Sequence, residues 1–69
     1  MAGSVARIIE ISSTSETSFE DAVKVGLQRA SQTLRHLSSA WVKDHKVMVD
    51  GEGNVTSYQV HMLVTFVLE

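Results

Sequence analysis

The residues able to do chemistry in this 69-residue chain are few. Trp41, the only tryptophan, stands in "HLSSAWVKDH" among serines, Lys43, Asp44, His36 and His45, a poor setting for a core aromatic. Its indole can pack a fold, join subunits or stack on a flat ligand, and aromatics serve interfaces well through area and an N–H handle. His45 and His61 lie at spacings that could bring them together on adjacent strands, and imidazole pairs bind zinc or nickel. With no third ligand in the sequence, a solvated or pH-responsive patch is the plainer reading. Asp50, Glu52 and Asn54 alternate in "DGEGN" but lack the later oxygen ligands and distant glutamate of an EF-hand. No G-x-S-x-G, cysteine nucleophile or phosphate-cradling glycine loop is present, and Ser38 and Ser39 read as strand-start residues. The pattern points to binding, not to an enzyme.

These side chains must be positioned by a small number of elements. "ARIIEIS", Ala6 to Ser12, is short and β-branched, which predicts a strand, and Ser13 to Ser18 reads as a polar loop. Ser18 with Asp21 resembles a capping box, with Glu20 and Asp21 acidic in the first turn. From there Phe19, Ala22, Val23, Leu27, Ala30, Leu34 and Leu37 recur at helical spacing, predicting an amphipathic helix from Phe19 to Arg35 or His36. His36 at its end would complement the helix dipole. Ser39 to Asp50 and Val55 to Glu69 read as a hairpin turned by "DGEGN". In its second strand the even positions Tyr58, Val60, Met62, Val64, Phe66 and Leu68 are apolar and should meet the helix. A turn centred on Glu52 sets Trp41 opposite Leu63, Lys43 opposite His61 and His45 opposite Gln59. On that register Trp41, Lys43, His45, Gln59 and His61 share the face away from the helix.

One helix covers one face of a three-stranded sheet. Leu63, Val67, Val47 and Val49 on the other face predict contact with further copies of the chain. A chain this short buries only about 60% of its unfolded surface and, without cysteines, has neither disulfides nor cysteine metal sites to compensate. The net charge of -2 with no basic run argues against nucleic acid as a partner. No apolar run approaches the ~20 residues that span a bilayer, so no membrane partner is expected. The start "MAGSVAR" has neither signal-peptide character nor a second-position glycine for acylation. The expectation is one domain over residues 1–69, in the cytoplasm.

Three stretches carry a family resemblance. "IIEISSTS", "TSFEDAVKVGLQRASQTLRHL" and "SYQVHMLVTFVLE" resemble, in order and spacing, the first strand and loop, the helix and the closing strand of the dodecins. The resemblance implies an α+β, β-α-β-β fold whose three-stranded antiparallel sheet wraps one amphipathic helix, assembled as a hollow dodecamer. Flavin-binding dodecins hold flavins between subunits, each ring against a tryptophan with a glutamine at its polar edge. An electron-poor flat ring gains stacking energy from indole, and an amide matches its mixed donors and acceptors. The family glutamine corresponds to Gln59 in "YQV". Counting on from "LRHL", the family aromatic falls at Ser39, and Trp41 comes two residues later. That keeps the face but moves the ring ~6.5 Å, at ~3.3 Å per residue. Val67 replaces a basic residue that many members place before the terminal "LE", Lys46 stands near another basic position, and "DGEGN" is one residue longer than in flavin-binding relatives.

The resulting expectation is a storage protein that sequesters riboflavin or FMN, with Trp41 stacking, Gln59 hydrogen-bonding, and Ser39, Lys43 and His45 lining the pocket. The alternative is a flavin-free shell in which Trp41 packs between subunits and the ligand is an ion such as calcium, gathered by Glu10, Asp44 or Asp50, or another small molecule.

Overall fold

The computed structural model describes residues 3–68. Strand β1 (Val5–Ser15), helix α1 (Phe19–Thr33), strand β2 (Leu37–Val49) and strand β3 (Val55–Leu68) follow in that order. The sheet runs β1-β3-β2 with both pairings antiparallel, so the closing strand is central and the other two leave their outer edges unpaired. Helix α1 lies on one face, against β1 and β3.

The even positions of β3 build the core as their alternation dictates. Val60, Met62 and Val64 are fully buried with Ala22, and Ile9, Ile11, Phe19, Val23, Leu27, Leu37, Ala40 and Val42 pack around them. On the helix, Ala22, Gly26 and Ala30 form a stripe of small buried residues at four-residue spacing. That stripe lets the helix axis approach β1 closely: a Cβ added to Gly26 would stand 2.8 Å from Ser13 Cβ and 2.9 Å from Met62 Cε.

The helix start follows the capping logic. Ser18 is extended, and its Oγ accepts from the Asp21 N–H at 2.9 Å. Asp21 does not close the box back onto Ser18; its carboxylate accepts from Ser15 Oγ at 2.7 Å, while Ser15 Oγ accepts from Thr17 N–H at 2.9 Å. Ser15 is thus the last residue of β1 and the organiser of the turn. The strand extends three residues beyond Ser12, because Ser13 and Ser15 face inward and are themselves buried.

The end of the helix and the start of β2, at Leu37 and not Ser39, also differ from expectation. The helix stops at Thr33, with Leu34 extended as its C-cap, so Arg35 and His36 are not helical. His36 takes φ 61, a left-handed conformation that reverses the chain, and its carbonyl accepts from Val67 N–H at 3.0 Å. It shapes the connection and does not sit in the last helical turn as a partner of the dipole. A strand of 14 residues spans ~46 Å while 15 helical residues span ~22 Å. The sheet therefore outruns its helix, and the β2–β3 hairpin projects as a two-stranded arm in a molecule 57 × 20 × 14 Å. Met48, Val49 and Val55 on this arm are exposed, as is Val47 at its base. Val47 pairs with Tyr58 on the helix side of the sheet, so it does not belong to the outer face with Leu63 and Val67.

Candidate functional site

The face away from the helix is built in rows of directly opposed residues, one from each strand. Thr14, Gln59 and Lys46 make one row; Ser12, His61 and Asp44 the next; Glu10, Leu63 and Trp41 the third; Ile8, Thr65 and Ser39 the fourth. Successive rows are two residues, roughly 6.6 Å, apart. Trp41 and Ser39 therefore do share the face with Gln59, as their parity requires.

A bulge between Val42 and Asp44 rearranges β2 beyond this point. The pairing Trp41↔Leu63 and Val42↔Met62 gives way to Asp44↔His61, His45↔Val60 and Lys46↔Gln59. A single extra residue shifts register by one and so exchanges the faces of everything that follows. His45 lands on the helix side, where its ring meets Phe19 edge-on at a centroid distance of 4.8 Å, and Phe19 meets Tyr58 at 5.2 Å in the same manner. The expectation that His45 lines the site is corrected accordingly, and a metal pair of His45 with His61 is excluded because the two lie on opposite faces. Asp44 and Lys46 take its place on the outer face. No composition signal marks the bulge; the only hint was the basic character of Lys46 near a family position. Lys43, the extra residue, stays on the outer face and reaches Glu10, Nζ to Oε2 at 3.2 Å, with both side chains well exposed.

Three features give this face its chemistry. Trp41 is 71% exposed, an extreme value for the largest side chain of a folded protein. Gln59 donates from Nε2 to Thr14 Oγ1 at a long 3.4 Å, while its Oε1 is the one buried side-chain oxygen or nitrogen among the described residues without a hydrogen-bond partner. Such an orphaned acceptor is costly and calls for a donor from elsewhere. Between these two rows, His61 Nδ1 lies 2.8 Å from Asp44 Oδ1. The donor set and the exposed indole suit a flat heterocycle that offers an N–H to Gln59 and a π-face to Trp41.

The acidic residues considered for calcium are dispersed. Glu10 is paired with Lys43 and Asp44 with His61. In the turn, Asp50 Oδ1 accepts from the N–H groups of Glu52 (2.8 Å) and Asn54 (3.0 Å), and Oδ2 from Asn54 Nδ2 (3.3 Å). These bonds, the backbone N–H of Asn54 foremost, hold the Asp50 carboxyl below its ordinary value. Among the described residues of one chain, no group of three or more histidine or acidic side chains could hold a metal.

The family model for Dodecin matches residues 5–69. A dodecin from Thermus thermophilus is 42% identical over 67 residues, covering 97% of this chain and 96% of its own. The structure of a dodecin from Streptomyces davaonensis superposes with a TM-score of 0.90 at 31% identity, over 99% of this chain and 98% of that one. A calcium-chelating antigen of Mycobacterium tuberculosis, calcium dodecin, superposes with a TM-score of 0.82 at 32% identity, over 96% and 93% of the two chains, and has a novel calcium-binding site. Order, pairing and coverage agree from β1 to β3, and this chain belongs to the dodecin family.

Proposed function

We propose that this protein binds and stores flavin, riboflavin or FMN, between subunits of a homododecamer in the cytoplasm, as a binding protein and not an enzyme. The observation that carries the reading is the pairing on one face of a largely exposed Trp41 with a Gln59 whose buried Oε1 has no partner. Trp41 offers the stacking surface, Gln59 the hydrogen bond to the ring edge, and Ser39 and Lys43 the flanks of the same face. A bound flavin supplies the light-absorbing, redox-active ring; the chain's residues orient it and exclude water. Assembly is supported by the apolar residues one chain leaves uncovered. Ile8 (58% exposed) stands on the outer face, and an apolar groove of about 490 Å³ runs between β1 and α1, lined by Ile9, Ile11, Val25, Gly26 and Ala30. Among the described residues, no helix is long and apolar enough to cross a membrane.

The test is titration of the protein into riboflavin and into FMN, followed by flavin fluorescence. Saturable quenching near one flavin per subunit is expected. Trp41→Ala should abolish it while the sedimentation of the particle stays unchanged. Quenching of undiminished affinity in the Trp41 variant would refute the stacking role.

A second reading is favoured by Ser39 in the family aromatic's position and by the calcium-chelating relative: a flavin-free shell that holds an ion such as calcium. It requires carboxylates gathered from several subunits, since one chain disperses them. Under that reading the assembled protein leaves flavin fluorescence untouched, Trp41→Ala loosens the particle, and calcium binding appears by calorimetry.

A further inference from the structure

His61 lies in the row between Trp41 and Gln59, so any ring that touches either residue on this face comes within one row, roughly 6.6 Å, of its imidazole. Its surroundings are specified. Ser12 of β1 and Asp44 of β2 stand directly opposite it, Glu10 and Trp41 one row to one side, Thr14 and Lys46 one row to the other, and Lys43 is tied to Glu10. Its side chain is about one-third exposed, so it is neither sealed in the core nor free in solvent. Asp44 Oδ1, at 2.8 Å, occupies Nδ1, which leaves Nε2 as the nitrogen available to a ligand.

We propose that His61 is a ligand-contacting residue of the flavin site, positioned by Asp44, and that it makes flavin binding depend on pH. The inference rests on the flavin reading above. The edge of an oxidised isoalloxazine is mostly acceptors, two carbonyl oxygens and two ring nitrogens against a single imide N–H. When the imidazole is neutral with its proton on Nδ1 toward Asp44, Nε2 is a bare acceptor and meets those atoms unfavourably. When it is protonated, Nε2–H donates to them, and Asp44 balances the charge so that the neutral ring does not sit beside an isolated cation. As classes, carboxylates titrate below and ammonium groups above the range from pH 5.5 to 8, whereas histidine titrates within it. Histidine is the one residue type of that kind among the side chains facing this position. His45, on the opposite face against Phe19, is the internal control.

The experiment measures riboflavin and FMN affinity by fluorescence quenching from pH 5.5 to 8 on the assembled protein, for the wild type and for His61→Val, Asp44→Asn and His45→Gln. One charge-assisted hydrogen bond gained or lost predicts affinity about tenfold weaker at pH 8 than at pH 5.5. His61→Val should flatten that dependence, Asp44→Asn should reduce it, and His45→Gln should preserve it. As a readout independent of affinity, the His61 ring proton resonances of the wild type should move on adding riboflavin. A pH dependence retained in His61→Val, or resonances that stay put while flavin is bound, overturns the role of His61 and leaves the flavin site standing. No quenching at any pH overturns both.

Discussion

Gly26→Ala tests the close approach of helix to sheet with a single methyl group. On propensity alone the change should help, since Gly to Ala in a helix interior gains about 1 kcal/mol. The surroundings oppose it. The new Cβ would meet Ser13 Cβ at 2.8 Å, Ser13 Oγ at 3.1 Å and Met62 Cε at 2.9 Å. The methionine terminus can swing away at small cost. Ser13 Cβ cannot, because it is bonded to the backbone of β1, paired there with Val60. The helix must lift or the strand must bend, an overpacking cost of about 2–3 kcal/mol at the upper end of the usual range. The net expectation is a loss of about 1–2 kcal/mol. With a urea slope near 1 kcal/mol/M for so small a chain, the midpoint should fall by about 1–2 M. Wild type and variant must be compared at one protein concentration, because assembly adds to apparent stability. Gln28→Gly, on the exposed face of the same helix, sizes the propensity term separately and should cost about 1 kcal/mol. A Gly26→Ala midpoint equal to or above wild type would mean that the helix rides higher on β1 than described, and the argument from the small-residue stripe would fail.

Two further perturbations address the ends of elements. Ser18→Ala removes the acceptor for the Asp21 N–H and should cost about 1 kcal/mol, read as a lower denaturation midpoint with unchanged slope. The Asp50 carboxyl is held below its ordinary value of 3.8, so its contribution is present above that value and is lost as pH falls through the lower, folded-state value. The stability advantage of the wild type over Asp50→Asn, followed by urea denaturation from pH 6 downward, should therefore shrink as the solution becomes more acidic than 3.8; an advantage that grows on acidification would refute the assignment.

Much of this fold could be read in advance because a few residues carry strong, local signals. The alternation of Val60, Met62 and Val64 needs only the geometry of a strand, and Ser18 starts a helix by a hydrogen bond within three residues of itself. Ser13 and Ser15 misled for a complementary reason. Polarity marks them as loop, yet both are buried, one as the small side chain beneath Gly26 and the other as the hub of the turn. Leu34 and Leu37 continue the helical spacing, but spacing does not reveal that His36 will adopt the left-handed conformation usually left to glycine. Within the site, the face of Trp41 and Gln59 followed from parity alone, whereas the identities of Asp44, His45 and Lys46 on their faces did not. Val42–Lys43–Asp44 contains no glycine and no special composition, so nothing local announces where the strand accommodates an extra residue.

That extra residue at Lys43 acts as a parity switch. Were β2 to run regularly instead, with Lys43 paired to His61, Asp44 and Lys46 would pass under the sheet and His45 would come out beside Gln59, while Trp41 stays in place. A lineage with this architecture can thus exchange part of its ligand-facing surface by gaining or losing one bulge, without a series of point substitutions, though at the expense of the contact between His45 and Phe19. The presence and place of a bulge in β2, more than substitution within it, is then the variable to follow when relatives of one fold hold different ligands.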